Sequence, residues 1–344
     1  MSEKKNTTIS DIAEELDINI STVSRALKDH PGISDATKEK VIKTAKKLNY
    51  YPNSIASALA RGKTNVIGVI VPSTGENFFA SVIKGIEKTA KDNGYKILIS
   101  QSNDSISDEE DNIKTLLETH VDGILASLAM ETRRFEHYQK IIDKNIPLVL
   151  FDRYDEALEA DVVAIDDYLG AYRAVEHLIK QGCEEIAHFS GLKHVKIYSE
   201  RLRGYKQALE DNGIAYNPDL VFESNMKLEQ GRELAEQLLE RDTLPDAIFC
   251  ASDHVAMGAM QTLKGNDIEI PGQVALVGFS NEAFASFVTP SLTSVEQYST
   301  RMGRIASDLF LKQVGDKEEG ETVPQKIVLT PKLMIRESSL RKGI

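Results

Sequence analysis

Cysteine is nearly missing from this chain: among 344 residues there are only Cys183 and Cys250. Two thiols so far apart make no disulfide framework and lack metal-ligand spacing. Tryptophan is absent, which by itself decides nothing. No apolar run approaches the length needed to cross a bilayer. The opening stretch MSEKKNTTISDIAEEL has no apolar h-region, so the expectation is a protein of the cytoplasm with no membrane partner. Enzyme machinery is also missing. No G-x-G-x-x-G follows the first strand, and no G-x-S-x-G, H-E-x-x-H or complete P-loop occurs. His188 and His194 form the close histidine pair but have no carboxylate or thiol ligands at useful spacing, and read as structural or surface residues. The expectation is a chain that is not an enzyme and holds no cofactor or metal.

What is present is unevenly charged. The net charge is −12, which argues against nucleic acid at first sight. Residues 1–64, however, carry eleven Lys/Arg against eight Asp/Glu, while the remainder carries thirty against forty-five. A small basic head on an acidic body can hold DNA with the head while the body repels it.

The head, residues 1–50, predicts three short helices. Thr8 and Asp11 form a T-x-x-D capping pattern before Ile9, Ile12, Ala13 and Leu16. After the tight connection Asp17-Ile18-Asn19, Asn19 can cap a helix over Ile20–Leu27, with Val23, Ala26 and Leu27 inward. Pro31-Gly32 breaks the chain, and Ser34 caps a third helix with Val41, Ile42, Ala45 and Leu48 at helical spacing. Two short helices, a tight turn and a bracing third make a helix-turn-helix, whose second helix reads base edges in the major groove. A three-helix module for protein contacts remains the alternative on pattern alone.

Residues 51–64 read as a hinge. Pro52 disfavours helix at Tyr51, and Asn53 can start a short helix holding Ala56 and Leu59. Such a segment is too short to be stable alone but can fold against a twin over DNA, where Leu59 could wedge into the minor groove. A plain linker is the alternative. Gly62-Lys63-Thr64 resembles the end of a P-loop, but Ser57 stands where the leading glycine belongs.

From residue 65 strands and helices alternate in two βαβ series, which predicts parallel sheets in two lobes. The expected division is lobe 1 at about 65–161 and 295–329, and lobe 2 at about 162–292 and 330–344. Ligands in such folds sit beyond the carboxyl ends of the strands. Ser73, Phe78, Phe79, Ser127, Asp152, Arg153, Arg201, Ser252, Asp253 and Ser280 stand there. Aromatic, carboxylate, guanidinium and hydroxyl groups together suit a polyhydroxylated ligand. The single candidate for a catalytic pair in the cleft is Asp152 with Asp253, though Asp253 could equally cap the helix that follows it.

The head segment TISDIAEELDINISTVSRALKDHPGISDATKEKVIKTAKKLNYYPN, and above all T-V-S-R-A-L, resembles the DNA-binding signature of the LacI/GalR family of bacterial regulators. AVEHLIKQG, ERLRGY, ASDHVAMGAM and TPSLTSVEQ resemble that family's body, so the likeness covers nearly the whole chain. It implies a helix-turn-helix head on a two-lobed, periplasmic-binding-protein-like α/β sensor. Function would be ligand-responsive transcription regulation, with repression of carbohydrate-utilisation genes as the family's commoner mode. By the same resemblance Thr8, Asn19 and Thr22 face phosphates and Ile20, Ser21 and Arg25 read bases. Asn53, Ala56 and Leu59 belong to the hinge at the operator centre. Phe78, Phe79, Ser127, Asp152, Arg201, Ser252, Asp253 and Ser280 line the ligand cleft. The implied partners are a near-palindromic double-stranded DNA operator, a sugar or sugar derivative, and a second copy of the chain.

Two departures stand out. The family usually has G-F-D in the last cleft strand, whereas this chain has Gly278-Phe279-Ser280, a hydroxyl without charge, which leaves an oligosaccharide, acidic or phosphorylated ligand open. Ser57 replaces a frequently basic hinge residue. The end RESSLRKGI has no leucine heptads, so a dimer rather than a tetramer is expected.

Overall fold

The computed structural model describes residues 7–50, 63–315 and 323–341. The hinge positions Asn53, Ala56, Ser57 and Leu59 lie outside the described residues. The chain divides into two compact units, Met1–Thr64 and Asn65–Ile344.

The first unit holds α1 (Ile9–Leu16), α2 (Ile20–Leu27) and α3 (Asp35–Lys47). The T-x-x-D pattern closes as a reciprocal capping box. Asp11 N donates to Thr8 Oγ1, and Thr8 N donates to Asp11 Oδ2 at 2.7 Å. Asp17 then ends α1 in the left-handed region, at φ 53°. Ser34 caps α3 by accepting from Thr37 N. Asn19 does not cap as the sequence predicts. Its side chain makes no cap bond, and its carbonyl instead accepts from Thr22 N and Val23 N. A small core of Ile12, Ala13, Val23, Ala26, Val41 and Ala45 joins the three helices. Ile42, expected inward, is 45% exposed, because Val41, Thr44 and Ala45 already fill the buried stripe of α3.

The second unit is two stacked α/β lobes. In chain order the first sheet receives β1 (Val66–Val71), β2 (Lys96–Gln101), β3 (Gly123–Ala126), β4 (Leu148–Phe151) and β5 (Asp161–Ile165). Much later it receives β11 (Lys326–Leu329). Their spatial order is β11-β5-β4-β3-β1-β2, all parallel. The second sheet is built from β6 (Ile186–Ser190), β7 (Val221–Glu223), β8 (Ala247–Cys250), β9 (Ala275–Ser280), β10 (Thr293–Glu296) and β12 (Lys332–Met334). Its order is β12-β10-β9-β8-β6-β7, with only β12 antiparallel. Central strands are buried, AIFC throughout and VIGVIV from Ile67 onward, as strands covered by helices on both faces must be.

Helices α4 (Asn77–Asp92), α5 (Ile106–Glu118), α6 (Glu136–Asp143) and α11 (Ser299–Gly315) cover the first sheet. The second is covered by α7 (Asp167–Lys180), α8 (Lys196–Asp211), α9 (Leu228–Leu239) and α10 (Asp253–Gly265).

The lobe boundary differs from the sequence expectation in two places. Residues 162–165 pair within the first sheet, because β5 bonds β4 on one side and β11 on the other. Residues 295 and 296 belong to the second sheet, through β10, a strand the alternation pattern did not reveal. The chain therefore passes between lobes three times, at Asp166, at Gln297–Tyr298 and at Thr330–Pro331.

One close approach fixes α4 against α11. A Cβ on Gly303 would stand 2.1 Å from Val82 O, and one on Gly85 would stand 2.2 Å from Thr300 O. Backbone cannot yield as a flexible side chain can, so Gly303→Ala is expected to cost about 1–3 kcal/mol. Urea denaturation of the body checks this; a loss below about 0.5 kcal/mol, the size of an ordinary surface change, would show that the helices simply part.

Candidate functional site

The head presents an exposed strip built from the start of α2. Asn19, Ile20, Ser21 and Arg25 are exposed, Thr22 is half-buried, and Thr8 is exposed at the start of α1. Ile20 keeps 48% of its surface in water, which is unusual for isoleucine in so small a unit and leaves it free for an apolar contact. Two head cations are spent internally: Lys38 pairs with Asp29 at 2.7 Å and Lys47 with Glu15 at 2.8 Å. Arg25 has no ion-pair partner among the described residues. An uncompensated guanidinium beside hydroxyl and amide side chains has the composition of a base-reading and phosphate-holding edge.

In the body, a cavity of about 260 Å³ opens between the lobes at the carboxyl ends of both sheets. Phe78 and Phe79 enter it from the first turn of α4 as an edge-to-face pair with centroids 5.0 Å apart. Asp152 follows β4 in the left-handed region at φ 60°, and Ser280 ends β9 at φ 113°. Both line the cleft. Such conformations cost of order 1–3 kcal/mol each and collect where a side chain must be aimed. Burial pushes the Asp152 carboxyl above its ordinary range, and Arg153 and Arg201 partly pull it back.

Arg201 also lines the cleft but is heavily engaged. Its Nε donates to Asp167 Oδ1 at 2.8 Å and its Nη1 to Ala251 O at 2.7 Å, and the guanidinium lies 3.7 Å over the Phe279 ring. Ser252 lines the cleft while capping α10 through His254 N.

Three residues that the sequence places at the cleft do not line the cavity: Ser73, whose Oγ accepts from Gly75 N at 3.2 Å, Ser127 and Asp253. Ser127 is fully buried behind Asp152, donating to its Oδ2 at 3.4 Å. Asp253 is fully buried too. It accepts from Ser294 Oγ at 2.6 Å and from Glu282 N at 2.7 Å, and burial pushes its carboxyl up to about 6. Asp253 is neither the cap of α10 nor half of a catalytic pair with Asp152. It ties the loop after β9 to β10.

That loop reaches across. Glu282 Oε1 accepts from Phe78 N at 3.0 Å and Oε2 from Asn77 N at 3.2 Å, so a second-lobe carboxylate closes the N-terminus of a first-lobe helix. On another side of the cleft, Met130 packs its side chain into the second lobe's core and holds its carbonyl 2.8 Å from His194 Nε2. His188 has no part in the site. It is fully buried between Phe249 and Tyr205, where burial lowers its imidazole to about 4.

The structure adds cleft residues that residue-by-residue reading missed: Glu76, Asp104, Tyr198, His254 and Gln297. Tyr198 precedes Arg201 by three on α8, a spacing that could have revealed it. Gln297 follows the strand that went unrecognised. Arg153 Nε and Gln297 Nε2 are buried in the cleft wall with no hydrogen-bond partner among the described residues. Among the described residues no group of His, Cys, Asp and Glu could hold a metal ion, and no helix is long and apolar enough to cross a membrane.

Comparison with known proteins matches both units. A family profile described as bacterial regulatory proteins, lacI family, matches residues 8–53. One described as periplasmic binding proteins and sugar binding domain of LacI family matches residues 64–337. Catabolite control protein A of Priestia megaterium is 32% identical over 336 residues, 97% of this chain and 99% of its own. The ribose operon repressor of Halalkalibacterium halodurans is 32% identical over 333 residues, 97% of each chain. Among solved structures, the transcriptional regulator CelR–cellobiose complex superposes with a TM-score of 0.74 at 28% identity, covering 97% of this chain and 100% of that one. The chain belongs to the LacI family of bacterial regulatory proteins: it is a ligand-responsive, DNA-binding transcription regulator, and not an enzyme.

Proposed function

We propose that this regulator represses carbohydrate-utilisation genes in the cytoplasm and that a small polyhydroxylated molecule in the interlobe cleft governs its hold on DNA. A dimer sets two copies of α2 in successive major grooves of a near-palindromic site about one helical turn apart. Ile20, Ser21 and Arg25 face bases, while Thr8, Asn19 and Thr22 face phosphates. Asn53, Ala56 and Leu59 meet the centre of the site. Phe78, Phe79, Asp152, Arg201, Ser252 and Ser280 hold the ligand, with Ser127 and Asp253 positioning their neighbours. Lobe movement about the three crossings changes the spacing of the two heads. By linkage, ligand and operator alter each other's affinity by the same factor.

The observation that carries this reading is the cleft wall itself. Two buried donors, on Arg153 and Gln297, await acceptors in a cavity that also offers aromatic faces and carboxylates. Sugars supply hydroxyls that give and take hydrogen bonds and a ring face that packs on aromatics.

Arg25→Ala tests the other half. Losing a bidentate base contact is expected to cost about 1–3 kcal/mol and to relax preference at one position of each half-site. Titration of the variant against a matched set of operator sequences measures both. Unchanged affinity with unchanged preference would remove Arg25 from the base-reading set.

A further inference from the structure

We propose that Asp104 is a charge filter on the cleft: by neutralising Arg153 it restricts the site to uncharged, hydroxyl-rich ligands and turns away their phosphate esters and other small anions. The inference rests on reading the cleft as the ligand site and narrows what enters it.

Arg153 is buried in the cleft wall, with only 7% of its side chain exposed. Left alone, a guanidinium so placed would be a strong anion receptor, because planar donors in a dry site match phosphate and carboxylate oxygens. It is not left alone, since its Nη1 donates to Asp104 Oδ1. That carboxylate is held in place by the backbone beyond β3. Asp104 Oδ1 also accepts from Met130 N at 3.0 Å, and Asp104 O accepts from Glu131 N at 3.2 Å. A freely turning side chain could swing away from an arriving anion; one pinned to the loop that plugs the second lobe cannot do so cheaply.

The remaining charges do not restore a positive surplus. Arg201 is matched by Asp167 and by a carbonyl. Three further carboxylates, Glu76, Asp152 and Glu229, line the same cavity against one further cation, Lys227. An anion seated against Arg153 would face Asp104, Glu76 and Asp152 at once, and like charges in a low-dielectric cleft repel strongly. A neutral polyol meets no such penalty. Its hydroxyl oxygens accept from Arg153 Nε and Gln297 Nε2, the donors without partners, and its hydroxyl hydrogens go to the carboxylates. A phosphate group carries acceptors and almost no donors, so it would leave those carboxylates unsatisfied. The uncharged Ser280 in place of the family's aspartate therefore does not mark an acidic ligand; the negative charge stands on the other lobe.

The full-length protein and Asp104→Asn test this. Asparagine keeps an oxygen for Met130 N and removes the charge. The probes are inorganic phosphate, sulfate and a panel of neutral mono- and disaccharides with their phosphate esters, read by calorimetry and by thermal shift at constant ionic strength. In the unaltered protein, each phosphate ester is expected to bind at least about tenfold more weakly than its parent sugar. Asp104→Asn is expected to gain at least about tenfold in affinity for phosphate and sulfate, the worth of one charge-assisted hydrogen bond. Both anions should then raise its melting temperature. Adding Arg153→Gln to Asp104→Asn should abolish the gain. If Asp104→Asn folds poorly, Asp104→Ser carries the same expectation.

An unaltered protein that prefers phosphate esters, or a folded Asp104 variant with no gain for anions, would overturn the filter. A protein that binds no sugar of the panel while Asp104→Asn still gains anions would keep the filter and sink the carbohydrate reading.

Discussion

Replacing Arg201 with alanine is expected to destabilise the body by about 3–5 kcal/mol, the usual consequence of stripping one partner from a buried ion pair. Arg201 and Asp167 are exposed by only 3% and 5%. Without the guanidinium, Asp167 keeps its burial and loses its counter-charge, Ala251 O loses its donor, and the Phe279 ring loses the group stacked on it. The loss should depend on pH in a definite direction. Burial already pushes the Asp167 carboxyl up to about 7, with Arg201 pulling the other way. An acid whose folded pKa lies above its unfolded value holds a proton that unfolding releases. Its contribution to stability therefore falls as pH rises from the ordinary carboxylate range toward the folded pKa. Removing Arg201 moves that folded pKa higher still, so the variant goes on losing stability after the unaltered protein has levelled off. Urea unfolding at about pH 5.5 and about pH 8 should show the smaller deficit at the lower pH. A deficit under about 1 kcal/mol, or one equal at both values, would mean that Arg201 does not hold the Asp167 carboxyl below the value that burial alone would give it.

Ile12→Ala is expected to abolish DNA binding while leaving the body unchanged. Only six side chains of the head's core are buried, three of them alanine, so Ile12, Val23 and Val41 are its large buried members, ringed by partly buried residues such as Leu16, Leu27 and Leu48. Ile12 is completely buried. Truncation costs about 2–5 kcal/mol through lost transfer energy and the cavity left behind. A unit of this size has little stability in reserve. Neither cysteine lies in it to staple the core. Operator affinity should fall at least about 100-fold, the equivalent of 2.7 kcal/mol. The body's unfolding transition and its response to ligand should not move, because its cores share no residue with the head. Retention of operator affinity within about threefold would mean that the head is far more stable than its core allows.

Local features were the most legible part of the sequence. The caps at Thr8 and Ser34 and the apolar spacing between them define the head, because each depends on residues three or four apart. The buried strands VIGVIV and AIFC announce themselves as unbroken apolar runs. β10 does not: TSVE is short and polar at all but Val295, and it becomes a strand only because β9 and β12 flank it. The lobe boundary slipped for the same reason, since β5 owes its place to β11, more than 150 residues further on.

The cleft divides along the same line. Residues at strand ends and helix starts, such as Phe78, Asp152 and Ser280, follow from the βαβ rhythm. Whether a polar group at such an end faces ligand or protein is settled by distant partners. Asp253 looks like a cleft acid until Ser294 and the backbone of Glu282 claim it. Asp104 looks like a loop residue until Arg153, 49 positions later, pairs with it.

The control of DNA binding by a ligand in the cleft is tested most directly by capturing fragments of the source genome on the purified protein, with and without neutral carbohydrates, and sequencing what is held. The expected result is a shared near-palindrome beside carbohydrate uptake or degradation genes, whose recovery changes when one sugar is present and no longer changes in a variant altered at Arg153. Recovery of the same fragments whatever sugar is added, or of no common sequence by a protein whose head is folded, would contradict it.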